Sequence, residues 1–187
     1  MSIEAELSRL HGKNVAPLKD IAKRHIPDPA AIRELLSIAK GDRDALRPAA
    51  TKLLKLWCEE GLVFNRHQSS GLVGLLREDI PWESRLHILQ MLPAFSISDD
   101  LASRLHRLLL EHLTHANKFI RAWAYNGLAV LAVRFPRYRQ ATDQILKMGM
   151  RDEVAAVKSR IRNIMAASDT ADRPTSLRYR NRSIKKS

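Results

Sequence analysis

The stretch Ile120-Arg121-Ala122-Trp123-Ala124-Tyr125-Asn126-Gly127-Leu128 decides how this chain folds. An apolar residue opens it, a basic one follows, and further apolar residues fall four and eight places on. That spacing is one face of an α-helix. Three other segments carry the same pattern: Leu46-Arg47 with Ala50 and Leu53-Leu54, Trp82-Glu83 with Leu86 and Leu89, and Val157-Lys158 with Ile161 and Ile164-Met165. The starts at 46, 82, 120 and 157 are 36, 38 and 37 residues apart. A period of this length marks stacked supersecondary units.

A second helix precedes each of these. Asp28-Pro29 supplies a capping carboxylate and a proline for the first helical position. Ile32, Leu35, Leu36 and Ala39 form the stripe that follows, and Gly41 closes it. Leu72, Leu75 and Leu76 mark the next partner. Leu101, Leu105, Leu108 and Leu109 mark a third, opened by Ser98-Asp99-Asp100, and Ile145 and Met148 mark a fourth. Pro81 and Pro136 fall between helices, where a missing N–H does no harm. Residues 3–26 are expected to form one or two helices capping the first hairpin. A single hairpin of this size cannot bury its apolar face alone, so neighbours must stack.

Over about residues 28–166 the pattern resembles HEAT and armadillo-type repeats. The Ile120 unit, preceded by Asn117, looks most like that family's second helix. The Trp82 unit departs most, with Glu83 in place of a basic residue and Gln90 at a normally apolar place. The resemblance implies an all-α fold, a right-handed α-α superhelix (HEAT/ARM-like solenoid) of about four helical hairpins with an N-terminal helical cap. Residues 1–166 are read as this domain and residues 167–187 as a basic, disordered tail. Solenoids of this type serve many roles, so the resemblance speaks to fold rather than to function.

Composition agrees with helices. The chain is 45% hydrophobic but only 5% aromatic, too poor in strand formers for a β-sandwich. Cys58 is the single cysteine, which precludes an intramolecular disulfide and suits a reducing compartment. No continuous apolar segment marks a leader at the N-terminus or reaches the roughly 20 residues of a membrane helix. The expectation is a cytoplasmic protein with no membrane contact.

The net charge of +12 is gathered at one end. Residues 1–116 hold 16 Lys and Arg against 15 Asp and Glu, while residues 117–165 hold 10 against 3. Such asymmetry points to an anionic partner, with solubility charge as the plainer reading. In stacked repeats, equivalent positions align in columns. Those following the buried positions read Arg47/Thr51, Glu83/His87, Arg121/Tyr125 and Lys158/Arg162. A third column reads Ala49, Arg85, Trp123, Arg160, and a fourth Lys52, Ile88, Asn126, Asn163. By resemblance these line a groove. Its last two repeats offer Arg121, Trp123, Tyr125, Asn126, Lys158, Arg160, Arg162 and Asn163 as partner-binding residues, with guanidinium groups for carboxylate or phosphate and aromatics for stacking. Against this stands a structural role for Arg121 and Lys158 between repeats, and space filling for Trp123. Trp57 and Trp82 are read as core.

Signals for chemistry are few. His112 and His115 are three apart, but without paired cysteines they suit a helix C-terminus better than a metal. No glycine-rich phosphate loop or nucleophile elbow is present. Cys58 lies beside Glu59 and Glu60, which disfavour a thiolate. Asp99-Asp100 and Asp152-Glu153 suit the first turns of helices. No cofactor or metal is expected, and the chain is read as a non-enzymatic adaptor that presents a basic groove to an acidic protein or peptide. Nucleic-acid binding by the basic repeats and tail is the alternative. A third reading, by analogy to HEAT-like DNA glycosylases, needs a catalytic Asp. The basic second helices contain none, and Asp143 and Asp152 are the nearest.

Overall fold

The computed structural model describes residues 2–10 and 16–171. Among them are ten α-helices and two short 3-10 turns, with no strand. The helices are α1 (Ile3–Ser8), α2 (Ala16–Arg24), α3 (Pro29–Lys40), α4 (Arg47–Glu59), α5 (Arg66–Leu75), α6 (Trp82–Met91), α7 (Asp99–His112), α8 (Lys118–Arg134), α9 (Arg139–Asp152) and α10 (Ala155–Ala171). The protein is all-α. Helix α10 runs past the boundary drawn at 167, and the tail expected to follow, residues 172–187, lies outside the described residues.

Local chemistry sets the helix starts. The Asp28 carboxylate accepts from Ala31 N–H at 2.8 Å, and Pro29 opens α3. Ser98 caps α7, and Asn117 caps α8 by accepting from Phe119 N–H at 2.9 Å. Asn65 and Gln68 form a reciprocal capping box on α5, an arrangement that satisfies two N–H groups at once. Gly41 ends α3 as expected, but its φ of −67° is ordinary extended backbone rather than a left-handed cap.

The packing follows chain order. Helix α3 pairs with α4, α5 with α6, α7 with α8, and α9 with α10. The second members then pack in succession, α4 on α6, α6 on α8 and α8 on α10. At the N-terminal end α1 packs on α3 and α2 on α4, so the two extra helices cover the first hairpin. Trp57 belongs to this junction. It is buried, and its indole N–H donates to the Ala22 carbonyl at 3.1 Å. One apolar core extends from Ile3 to Leu131, and a second gathers Ala122, Tyr125, Leu146, Val157, Ile161 and Ile164.

Burial corrects the register of the second repeat. Trp82 is not core: it is 39% exposed and stacks on Phe119, with ring centroids 6.4 Å apart. The buried residues of α6 are Ser84, Ile88, Leu89 and Met91. Equivalent starts are therefore Leu46, Ser84, Ile120 and Val157, spaced 38, 36 and 37 residues apart. With this alignment the next column, Ala50, Ile88, Ala124 and Ile161, has no exposed surface at all. In α9 the buried set is Thr142, Leu146 and Gly149, while Met148 faces solvent. A sequence stripe of only two apolar residues did not fix the phase of that helix.

The corrected register also restores a basic residue after every start. Arg47 Nε donates to Ala39 O at 3.2 Å, Arg85 Nη2 to Glu78 O at 2.7 Å, Arg121 Nη1 to His115 O at 2.9 Å, and Lys158 Nζ to Arg151 O at 2.8 Å. Each reaches back six to eight residues to a carbonyl at or just past the end of the preceding helix. Those carbonyls have no partner within their own helix, and a cation at a helix C-terminus also meets the negative end of the macrodipole. The basic position closes each hairpin.

Candidate partner-binding surface

The eight residues singled out in the last two repeats separate into three groups. Arg121 and Lys158 serve the fold. Arg121 Nε lies 3.0 and 3.1 Å from the two carboxylate oxygens of Glu153, and its Nη2 is 3.1 Å from Oε2, a fork geometry that ties α8 to the end of α9. Glu153 is the residue at the end of α9, not part of a first turn, and Asp152 is the last residue of that helix. Lys158 is spent on the Arg151 carbonyl.

Tyr125 is the second case. It is buried within the C-terminal core, so its ring cannot stack on a partner. A Cβ on Gly149 would stand 2.7 Å from the Tyr125 hydroxyl, so glycine is what lets α9 approach so closely. Burial, with Glu153 nearby, pushes the phenol above its usual range, which keeps it neutral.

Trp123, Asn126, Arg160, Arg162 and Asn163 form the third group, on the outward edges of α8 and α10. Trp123, Asn126 and Arg160 are half-buried, and Arg162 and Asn163 are exposed. The Arg160 guanidinium lies over the Trp123 ring at 4.1 Å from its centroid. This contact joins equivalent positions of adjacent repeats and holds the cation in one orientation. Among the described residues neither Arg160 nor Arg162 has a carboxylate within salt-bridge range. Among those residues no carboxylate competes for the Arg160 N–H donors.

The corrected alignment extends this edge across all four repeats. Ala49, His87, Trp123 and Arg160 form one column, and Lys52, Gln90, Asn126 and Asn163 the next. The sequence reading had placed Arg85 and Ile88 there. Arg85 instead clamps its hairpin, and Ile88 is fully buried. Trp123 also borders a shallow depression of about 230 Å³ that it shares with Lys55, Cys58 and Gln90. Burial, then Glu59, pushes the Cys58 thiol up to about 12, which leaves almost no thiolate near neutrality.

The remaining candidates are engaged in structure. His112 Nδ1 meets Leu108 O at 2.6 Å, and His115 Nδ1 accepts from Asn117 N–H at 3.0 Å. Among the described residues no three His, Cys, Asp or Glu side chains converge as a metal site. Asp143 and Asp152 are exposed, on the body and at the end of α9, away from the Trp123 edge. No described helix is long and apolar enough to cross a membrane. No protein-family model matches the chain, and neither does any curated protein or solved structure.

Proposed function

We propose that this chain is a HEAT-like solenoid, a right-handed superhelix of helical hairpins. It would act as a non-enzymatic binding module that takes an acidic segment of another protein along the outward edge of its second helices. The observation that carries this reading is the Arg160 guanidinium over the Trp123 ring, 4.1 Å from its centroid, with no carboxylate in salt-bridge range among the described residues. A planar fork held in place by an aromatic ring loses little freedom on binding a carboxylate. Asn126 and Asn163 occupy the next column along with amide groups that suit an extended peptide backbone, and Arg162 adds an exposed guanidinium elsewhere on α10.

The cation inventory favours a protein over nucleic acid. Binding to phosphates gains its strength from many free cations along a line. On this edge Arg121 and Lys158 are consumed within the fold, which leaves Lys52, Arg160 and Arg162.

The test is a fluorescence-anisotropy titration of the full chain with a labelled Glu- and Leu-rich peptide and with single-stranded and duplex DNA of similar length. The reading predicts that the peptide binds and that Trp123→Ala or Arg160→Ala weakens it at least about tenfold, as expected for an interface anchor. Tight DNA binding with a steep salt slope, and no peptide binding, would replace it with the nucleic-acid reading.

A further inference from the structure

A second feature of the same helices has no counterpart in the sequence reading. Between the first two repeats lies a cleft of about 540 Å³, within the range of about 300–1,000 Å³ that small-molecule sites occupy. Its walls are mostly apolar: Leu7, Leu10 and Leu18 from the N-terminal helices, Leu46 and Ala49 from the α4 side, and Pro81 before α6. Lys52 and His87 bring polar atoms to it, with Asp44 and Glu83 also on its border.

The polar groups have distinct states. Asp44 Oδ1 receives Arg47 Nη1 at 3.1 Å, so its charge is answered. The charges acting on Lys52 are Lys55, Glu59 and Lys19, and Glu59 is already paired with Lys55. Among the described residues Lys52 has no carboxylate within salt-bridge range. Burial and the neighbouring lysines push its ammonium below the usual range, so an anion placed beside it would relieve a real electrostatic cost. His87 Nδ1 is held by Thr51 Oγ1 at 3.0 Å. Burial, then Lys52 and Lys55, lowers the pKa of the ring to about 3 and keeps it uncharged near neutrality.

We propose that this cleft binds a small amphipathic carboxylate, a free medium-chain fatty acid or close relative, with its head group on Lys52 and its chain against Leu7, Leu10, Leu18 and Leu46. Lys52, with no carboxylate in salt-bridge range among the described residues, borders an apolar-walled cleft, which matches one anionic head and one aliphatic body. The volume suits a chain of roughly eight to twelve carbons.

The experiment is isothermal titration calorimetry of the full chain with decanoate, hexanoate and 1-decanol. The expected result is saturable one-to-one decanoate binding. Hexanoate should bind more weakly, and decanol at least about tenfold more weakly for want of a charge-assisted hydrogen bond. Lys52→Met keeps the aliphatic stem and should lose affinity by the same factor. Ala49→Phe narrows the cleft and should abolish binding, with circular dichroism checking that it folds. Absence of saturable binding below about 1 mM, or equal affinity in the Lys52→Met variant, would overturn the proposal.

Discussion

The Thr51 hydroxyl and the His87 imidazole meet at 3.0 Å, joining α4 to α6 across 36 residues of chain. Thr51 Oγ1 is also 3.0 Å from Arg47 O and 3.1 Å from Pro48 O. These contacts hold the hydroxyl between the two helices, with the carbonyls on one side and the imidazole on the other.

The burial of this imidazole makes stability depend on pH. Burial, with Lys52 and Lys55 close by, lowers the His87 pKa from 6.5 to about 3. Between those values the unfolded chain takes up a proton that the folded chain refuses, so stability is full above about pH 6.5 and falls as pH drops. The loss should reach about 2 kcal/mol by pH 5. Burial lowers His106, His112 and His115 as well, with the same sign. Urea unfolding of wild type and His87→Gln at pH 7.5 and pH 5 checks it. The variant should lose less on acidification, and an equal loss in both would refute the assignment.

Arg121 should matter to the body of the protein more than to its partner. Removing it strands Glu153, which is only 11% exposed, together with the carbonyls of His115 and Ala116. Arg121→Ala should cost about 2–3 kcal/mol. Thermal unfolding should shift down by roughly 4–10 °C for a chain of this size. An unchanged melting temperature would show that the clamp contributes nothing.

The register of α6 predicts opposite outcomes for two neighbours. Trp82→Ala removes an exposed ring and should cost about 1 kcal/mol or less, against roughly 3–5 for a core tryptophan. Ser84 is 1% exposed in a column otherwise filled by Leu46, Ile120 and Val157. Its hydroxyl has no hydrogen-bond partner among the described residues. Ser84→Ala should therefore stabilise by roughly 0.5–1.5 kcal/mol. Chemical denaturation of the two variants side by side would expose a wrong register if Trp82→Ala proved the more damaging by several kcal/mol.

Two helical glycines make a matched pair. A Cβ at Gly127 would sit 2.6 Å from Leu109 Cδ2 and 2.9 Å from Leu92 Cδ1, both on fully buried residues. A Cβ at Gly74 meets nothing within 4 Å. Gly127→Ala should destabilise by about 1–3 kcal/mol through overpacking. Gly74→Ala should stabilise by about 0.5–1 kcal/mol from helix propensity alone. The same sign for both would contradict the packing of α8 against α7.

Sequence pattern made the helices legible where several local signals agreed. Asp28-Pro29 and Ser98 each cap the helix they were expected to open, and Asn117 caps α8. The stripes of α3 and α7 are buried as read. Trp82 misled because a large apolar residue suggests core, yet it follows Pro81 in the first turn of α6, where the side chain can lie outside the stack. Helix α6 lies between α4 and α8, so burial reaches Ser84 and Ile88 rather than one simple apolar stripe. The pairing of Arg121 with Glu153 was not readable, because Glu153 resembles a helix-opening acid and its partner lies 32 residues away. The cleft beside Lys52 was invisible for a related reason: its walls come from three separate parts of the chain. Trp123, Asn126, Arg160, Arg162 and Asn163 emerged from the columns, and Arg160 on Trp123 is the contact that the columns brought together.

A partner bound along the outward edge of α8 and α10, as proposed, would shield backbone amides of those two helices. Hydrogen–deuterium exchange of the full chain, with and without a saturating acidic peptide, reads this out. New protection is expected within residues 120–128 and 157–165, reduced by Arg160→Ala. Protection confined to residues 172–187 or to α9, with α8 and α10 unaffected, would contradict it.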